Sequence, residues 1–122
     1  TPDYKERIHF FNGISDADLC SFLRASKVFV YPSMAEGFGI PPLEAGAAKI
    51  PVLCSNATAM NDFKFFAPYH INFGKEEDVS ISLLKLLSEK NQEKQVEISD
   101  LIRRQYAWTS ASKVIELIIK ND

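Results

Sequence analysis

A chain of 122 residues, 46% hydrophobic and 25% charged, has the composition of one small globular domain, which argues against disorder, collagen or coiled coil. Its net charge of −2, from 14 basic and 16 acidic residues, gives no electrostatic reason to expect a nucleic-acid partner. Cys20 and Cys54 form neither a C-x-x-C motif nor a disulfide framework, so they read as two reduced thiols rather than as zinc ligands or a cystine staple. No apolar run reaches the roughly 18 residues of a membrane span, and the polar start T-P-D-Y-K-E-R lacks a signal-peptide core. The first residue is not Met, so the expectation is a processed chain or a piece of a longer one.

In chain order, Ile8 to Phe11 predicts a short buried strand, ended by Asn12-Gly13. Ser15 predicts a helix N-cap, with Asp18 three residues on, and Leu19, Phe22 and Leu23 form one apolar face up to Lys27. Val28-Phe29-Val30-Tyr31 is continuous and β-rich, the pattern of a strand buried on both faces of a parallel sheet. A helix is expected from about Pro41-Pro42 through Ala47, because proline suits a first helical turn. Ile50 to Cys54 predicts a third strand, with Pro51 at its start, and Ile71 to Phe73 a weaker fourth. Beyond Gly74 three helical stripes follow. They are carried by Val79 to Leu87, by Val96 to Tyr106 and by Val114 to Ile119, the last capped near Thr109 or Ser110.

Strands alternating with helices imply an α/β fold, a partial Rossmann-like parallel sheet with flanking helices, as a single domain over residues 1–122. Such sheets bind ligands at the carboxyl ends of their strands. Three segments then fall on that edge: Asn12-Gly13-Ile14, Pro32 through Ile40, and Ser55-Asn56.

One stretch is dense enough to carry chemistry, Y-P-S-M-A-E-G-F-G-I-P-P-L-E-A, from Tyr31 to Ala45. Gly37 and Gly39 flank Phe38 and let backbone N–H groups approach a ligand. They precede a helix start, which favours an anion or an oxygen-rich group. Glu36 and Glu44 can flank the same pocket, and ionised carboxylates accept hydrogen bonds from hydroxyl groups. A phosphate site beside hydroxyl-binding carboxylates suits a sugar nucleotide. A bare strand–helix turn, with Glu36 as a cap and Glu44 on a solvated face, has the same local pattern.

The segment resembles the C-terminal donor-binding domain of the group 1, or family 4, retaining glycosyltransferases of GT-B fold. Their signature is P-S-x-x-E-G-F-G-x-P-x-x-E-A, and Glu36 and Glu44 stand in it with seven residues between them. N-G-I-S-D-A-D-L, R-A-S-K-V-F-V-Y-P-S, P-V-L-C-S-N and W-T-S-A-S-K are similar to further family segments, so the likeness runs over essentially the whole chain. The resemblance implies that Glu36, the catalytic candidate, binds a hydroxyl of the donor sugar. It implies that Gly37, Phe38, Gly39 and Ile40 line sugar and pyrophosphate, and that Glu44 holds the ribose hydroxyls. Gly13 and Ile14 would meet the base, and Ser33 sits on the same edge. The implied reaction is glycosyl transfer from a nucleoside diphosphate sugar with retention, without cofactor or metal ion, catalysed by positioning and by stabilising leaving-group charge. The implied setting is polysaccharide or lipopolysaccharide assembly in the cytoplasm, with peripheral contact to the inner face of the membrane.

Ala48-Lys49-Ile50 replaces the family's Cys-Gly before the P-V strand, so Lys49 is expected either to adopt a left-handed conformation or to end the helix differently. Asn61-Asp62 stands where many members have Pro-Glu. Nothing matches the family's first two strands of this domain, its diphosphate-clamping Arg and Lys, or its N-terminal acceptor domain. The expectation is therefore the donor-binding half of an enzyme, inactive alone, whose partners are the nucleotide sugar and the missing N-terminal domain. The strands at Ile8 and Val28 would then pair directly, or a second copy would fill the gap through an exposed edge.

His9 and His70 read as core or boundary residues, and Phe63, Phe65, Phe66 and Tyr69 as packing. Trp108 reads as a packing anchor, and the scattered lysines and arginines of the last helices as solvated faces. The alternative function is a non-catalytic nucleotide-sugar-binding or interaction module. A phosphoacceptor receiver fits poorly, since no aspartate ends a strand, and a dinucleotide oxidoreductase fits poorly, since no G-x-G-x-x-G follows one.

Overall fold

The structure is a computed structural model, and it describes residues 2–32, 40–56, 64–106 and 113–120. After a 3-10 turn at Pro2–Arg7, helix α1 spans Asp16–Ala25, strand β1 Phe29–Tyr31, helix α2 Ile40–Ala47 and strand β2 Val52–Ser55. A 3-10 turn at Lys64–Phe66 leads to β3, His70–Ile71, and then to α3, Glu76–Ser88, α4, Gln92–Tyr106, and α5, Lys113–Lys120. The three strands form a parallel sheet in the order β1-β2-β3. Phe29 faces Val52 and Tyr31 faces Cys54, while Ser55 faces Ile71.

Alternate residues of β2 enter opposite layers, as a two-residue period requires. Val52 and Cys54 pack with Leu43, Phe66, Ile102 and Ile118 under α2, α4 and α5, while Cys20 and Leu23 bring α1 to the same core. Leu53 packs on the other face with Tyr69 and Leu86, against α3. Every residue of β2 is buried. Leu43, Leu53, Ile102 and Ile118 are at most 1% exposed, and each such side chain stabilises the fold by roughly 1.5–3 kcal/mol.

The helix ends follow local chemistry. Ser15 Oγ accepts from the Asp18 amide at 3.1 Å, the expected N-cap of α1. The Arg24 guanidinium donates to Ile118 O at 3.1 Å, placing a cation at the carboxyl end of α5. Helix α2 ends by the first of the two expected routes: Lys49 takes φ 65°, its amide donates to Gly46 O at 3.0 Å, and the Ile50 amide donates to Ala45 O at 3.0 Å. That pair of bonds is a Schellman motif with lysine where glycine is usual. The buried Ser99 hydroxyl donates to Ala47 O at 2.8 Å and fastens α4 to the same helix end.

Several expectations are corrected. Ile8 to Phe11 is not a strand: it makes no ladder with β1, and Phe10 is 93% exposed. A strand needs a partner for its backbone groups, and without one the segment keeps them hydrated. The expected direct pairing with the Val28 strand therefore does not occur, and His9 is exposed rather than at a strand boundary. Nor is β1 buried throughout: Phe29 and Tyr31 are half-buried and Val30 is exposed, and among the described residues it has a strand neighbour on one side only. The strand at Ile71 is real but begins at His70 and stops before Phe73. Phe66 and Tyr69 are core residues, whereas Phe63, Asn61, Asp62, Trp108 and the Thr109–Ser110 cap lie outside the described residues. No described helix is long and apolar enough to cross a membrane.

Candidate functional site

All three strands run the same way, so Tyr31, Ser55 and Ile71 end along one edge of the sheet. The chain leaves β1 at Pro32, and α2 begins at Ile40. The carboxyl end of β1 is thus followed in sequence by the amino terminus of α2, an order that suits an anionic, oxygen-rich ligand. Ser33, Glu36, Gly37, Phe38 and Gly39 lie outside the described residues. Ile40 is the first residue of α2.

Glu44 stands one turn into α2. It is 7% exposed, and among the described residues it is the one charged side chain in the buried set. The rest of that helix, I-P-P-L-E-A-G-A, is apolar, so α2 sits between the sheet and the α4 and α5 layer with a single ionisable group on it. A carboxylate is taken out of water only where hydrogen bonds or an opposite charge compensate it. That burial counts against reading Glu44 as a solvated helix residue.

Gly13 has φ 70°, with no other heavy atom within 4 Å of where a β-carbon would stand. Glycine serves there for its backbone conformation rather than for want of space. It turns the chain into Ile14 and the Ser15 cap. Helix α1 is joined to β1 by Ser26 to Val28. Ile14 lines a concavity of about 530 Å³ together with Phe11, Asn12, Asp18, Ser21 and Phe22. The Phe11 and Phe22 rings meet at 4.9 Å between centroids and form its aromatic wall. The sequence reading placed Phe11 in a strand and Phe22 on the core face of a helix, and so missed this wall. Apolar residues beside a glycine turn carry no mark of which side faces solvent.

At the end of β2, Cys54 and Ser55 are fully buried. Burial pushes the Cys54 thiol from 9.0 up to about 12, so it is protonated and inert at neutral pH. Tyr69, beneath the same strand, is pushed from 10.0 up to about 12, first by burial and then by the Glu89 carboxylate. Among the described residues, no three of His, Cys, Asp and Glu gather as a metal-ligand set requires.

The family profile described as glycosyl transferases group 1 matches residues 3–96. O-antigen chain mannosyltransferase B of Escherichia coli is 45% identical over 53 residues, which is 43% of this chain and 14% of that protein. O-antigen chain mannosyltransferase RfbU of Salmonella typhimurium is 31% identical over 70 residues, 57% of this chain and 20% of that protein. The MMP alpha-(1->4)-mannosyltransferase of Mycolicibacterium hassiacum is 38% identical over 53 residues, 43% of this chain and 13% of that protein. The matched part thus spans a fifth or less of the length of each of these relatives. No solved structure matches the chain significantly.

Proposed function

This chain belongs to the glycosyl transferases group 1 family, and on that premise we propose that it forms the donor-binding part of an enzyme that transfers a sugar from a nucleoside diphosphate sugar to an acceptor. The observation that carries the reading is Glu44, a buried carboxylate on a helix that starts at the carboxyl edge of a parallel sheet. In this reading Glu44 accepts hydrogen bonds from the ribose hydroxyls. Glu36 accepts from a hydroxyl of the sugar. The amides of Gly37, Phe38, Gly39 and Ile40 face sugar and pyrophosphate, with Ser33 beside them. The base lies near Gly13 and Ile14, where the paired rings of Phe11 and Phe22 offer a stacking wall.

The relatives named above are all mannosyltransferases, which supports mannose as the transferred sugar. Two of them are named for O-antigen chains, which supports a role in building a polysaccharide chain; a cytosolic site at the inner face of the membrane is part of the same proposal. Transfer proceeds with retention, without a metal ion, through positioning of the donor and stabilisation of the departing diphosphate. The remainder of the enzyme supplies the acceptor site and the cationic clamp, so the 122-residue chain alone does not turn over.

The test is donor binding and transfer by the natural polypeptide, with nucleoside diphosphate mannose compared with nucleoside diphosphate glucose. Transfer of mannose, with product NMR giving the same anomeric configuration as the donor, is the expected result. Binding without transfer would select the alternative, a non-catalytic nucleotide-sugar module. Absence of binding would remove both.

A further inference from the structure

The final carbonyls of a helix find no partner in the helix itself, and each has to be answered from elsewhere. At the end of α2 the following chain does most of this through backbone amides. Ala48 donates to Glu44 O at 3.1 Å, Ile50 to Ala45 O at 3.0 Å and Lys49 to Gly46 O at 3.0 Å. Ala47 O is answered by a different element. It accepts the Ser99 hydroxyl of α4 at 2.8 Å, from a residue 52 positions away in sequence.

Ser99 is an unusual choice at its position. It is fully buried, on the stretch of α4 that brings Ile98 and Ile102 to the main core. Serine is only a moderate helix former, and a hydroxyl in a core costs free energy unless it is bonded. It has one proton to give, and in mid-helix that proton often goes to the carbonyl four residues back. Here it goes to α2 instead. The surrounding contacts are apolar: Leu43, Ala45 and Ala47 pack in the same core, and Gly46 lies against Ile102 and Phe66. Such contacts limit how near the helices come but prefer no direction about the axis of α2. A hydrogen bond does prefer one.

Ala47 stands three residues after Glu44, about 4.5 Å further along the helix. Turning α2 by about 10° would carry a side-chain tip on the order of 1 Å. A binding group has to be held to within about 0.5 Å. We propose that Ser99 is a positioning residue of the donor site: its hydroxyl fixes the rotation of α2 and so the place of the Glu44 carboxylate. Donor affinity then depends on a residue that is itself too buried to touch a ligand. This inference rests on the reading of Glu44 as the group that holds the ribose.

Calorimetric titration of the natural polypeptide with guanosine diphosphate mannose, and in parallel with uridine diphosphate mannose, tests it well below the unfolding temperature. Ser99→Ala removes the hydroxyl, and Ser99→Thr keeps it. Ser99→Ala should weaken the tighter donor about fivefold, the weight of one hydrogen bond, and Ser99→Thr should stay within about twofold of the wild type. In a Glu44→Gln background Ser99→Ala should cost no further affinity, because the two residues act on one contact. A lower Tm with unchanged donor Kd in Ser99→Ala overturns the proposal, since the hydroxyl then serves stability alone. Equal losses in both backgrounds overturn it too, as does a Ser99→Thr protein as weak as Ser99→Ala. The two readings fail separately. If Glu44→Gln weakens the donor and Ser99→Ala does not, the positioning role alone falls. If Glu44→Gln leaves the donor Kd unchanged, or neither donor binds, the ribose reading of Glu44 falls and takes this inference with it.

Discussion

Gly46 of α2 and Ile102 of α4 approach so closely that a β-carbon on Gly46 would stand 2.5 Å from Ile102 Cδ1. The Phe66 ring blocks the other side at 3.2 and 3.3 Å. Ile102 is fully buried, so its terminal carbon has no open space to turn into. The helix that carries Glu44 is thus seated by a missing side chain two residues further on.

Gly46→Ala should therefore destabilise the fold, although alanine is the better helix former. Overpacking costs about 1–3 kcal/mol and the gain in helix propensity returns about 1, leaving a net loss on the order of 1 kcal/mol. Ile102→Val removes the clashing carbon, so it should cost less stability in the Gly46→Ala background than in the wild type. A double-mutant cycle by urea unfolding measures this, and additive effects would show that the two residues are not coupled.

Glu44→Gln keeps the shape of the side chain and removes its charge. In the natural polypeptide it should raise the donor KM by roughly tenfold or more, the weight of one hydrogen bond to a charged group, with a smaller effect on kcat. Initial-rate kinetics decide it. Unchanged donor KM would remove Glu44 from the ribose site.

Lys49→Gly should stabilise the fold by about 1 kcal/mol, the lower end of the cost of a strained non-glycine backbone. The Schellman bonds to Gly46 O and Ala45 O survive the change, because both are made by backbone amides. Thermal unfolding should show a Tm higher by a few degrees. A lower Tm would mean that the lysine stem supports the helix end by packing.

Stability should fall with rising pH above about 9. Cys54 is raised from 9.0 to about 12 and Tyr69 from 10.0 to about 12, so both keep their protons in the folded chain at a pH where the unfolded chain loses them. The unfolded state then binds fewer protons, and the stability present below the unfolded values is lost as pH rises toward the folded ones. Urea midpoints between neutral and alkaline pH check the slope, which Cys54→Val should flatten. At neutral pH the native thiols should resist a disulfide reagent, because Cys20 and Cys54 are both free and buried. Fast labelling of Cys54 in the folded protein would contradict its burial.

Local rules were legible wherever one residue's chemistry settled the outcome. Ser15 as a cap, the prolines opening α2 and Pro51 before β2 all follow from neighbours within a few positions, and the left-handed turn at Lys49 was one of the two helix ends they allowed. The family likeness was legible too, because its signature lies in consecutive residues from Tyr31 to Ala45. Which apolar runs become strands was not decided locally. Ile8 to Phe11 and Val52 to Ser55 are both short and largely apolar, yet the first stays exposed and the second is buried on both faces. The difference is the presence of neighbours: a strand exists only when another backbone answers its N–H and C=O groups. Tertiary packing alone likewise buried Glu44, joined Phe11 to Phe22, and gathered Lys27, Lys49, Lys90 and Gln95 around one hollow. Those residues are distant in sequence, and only the crossing of helices over the sheet brings them together.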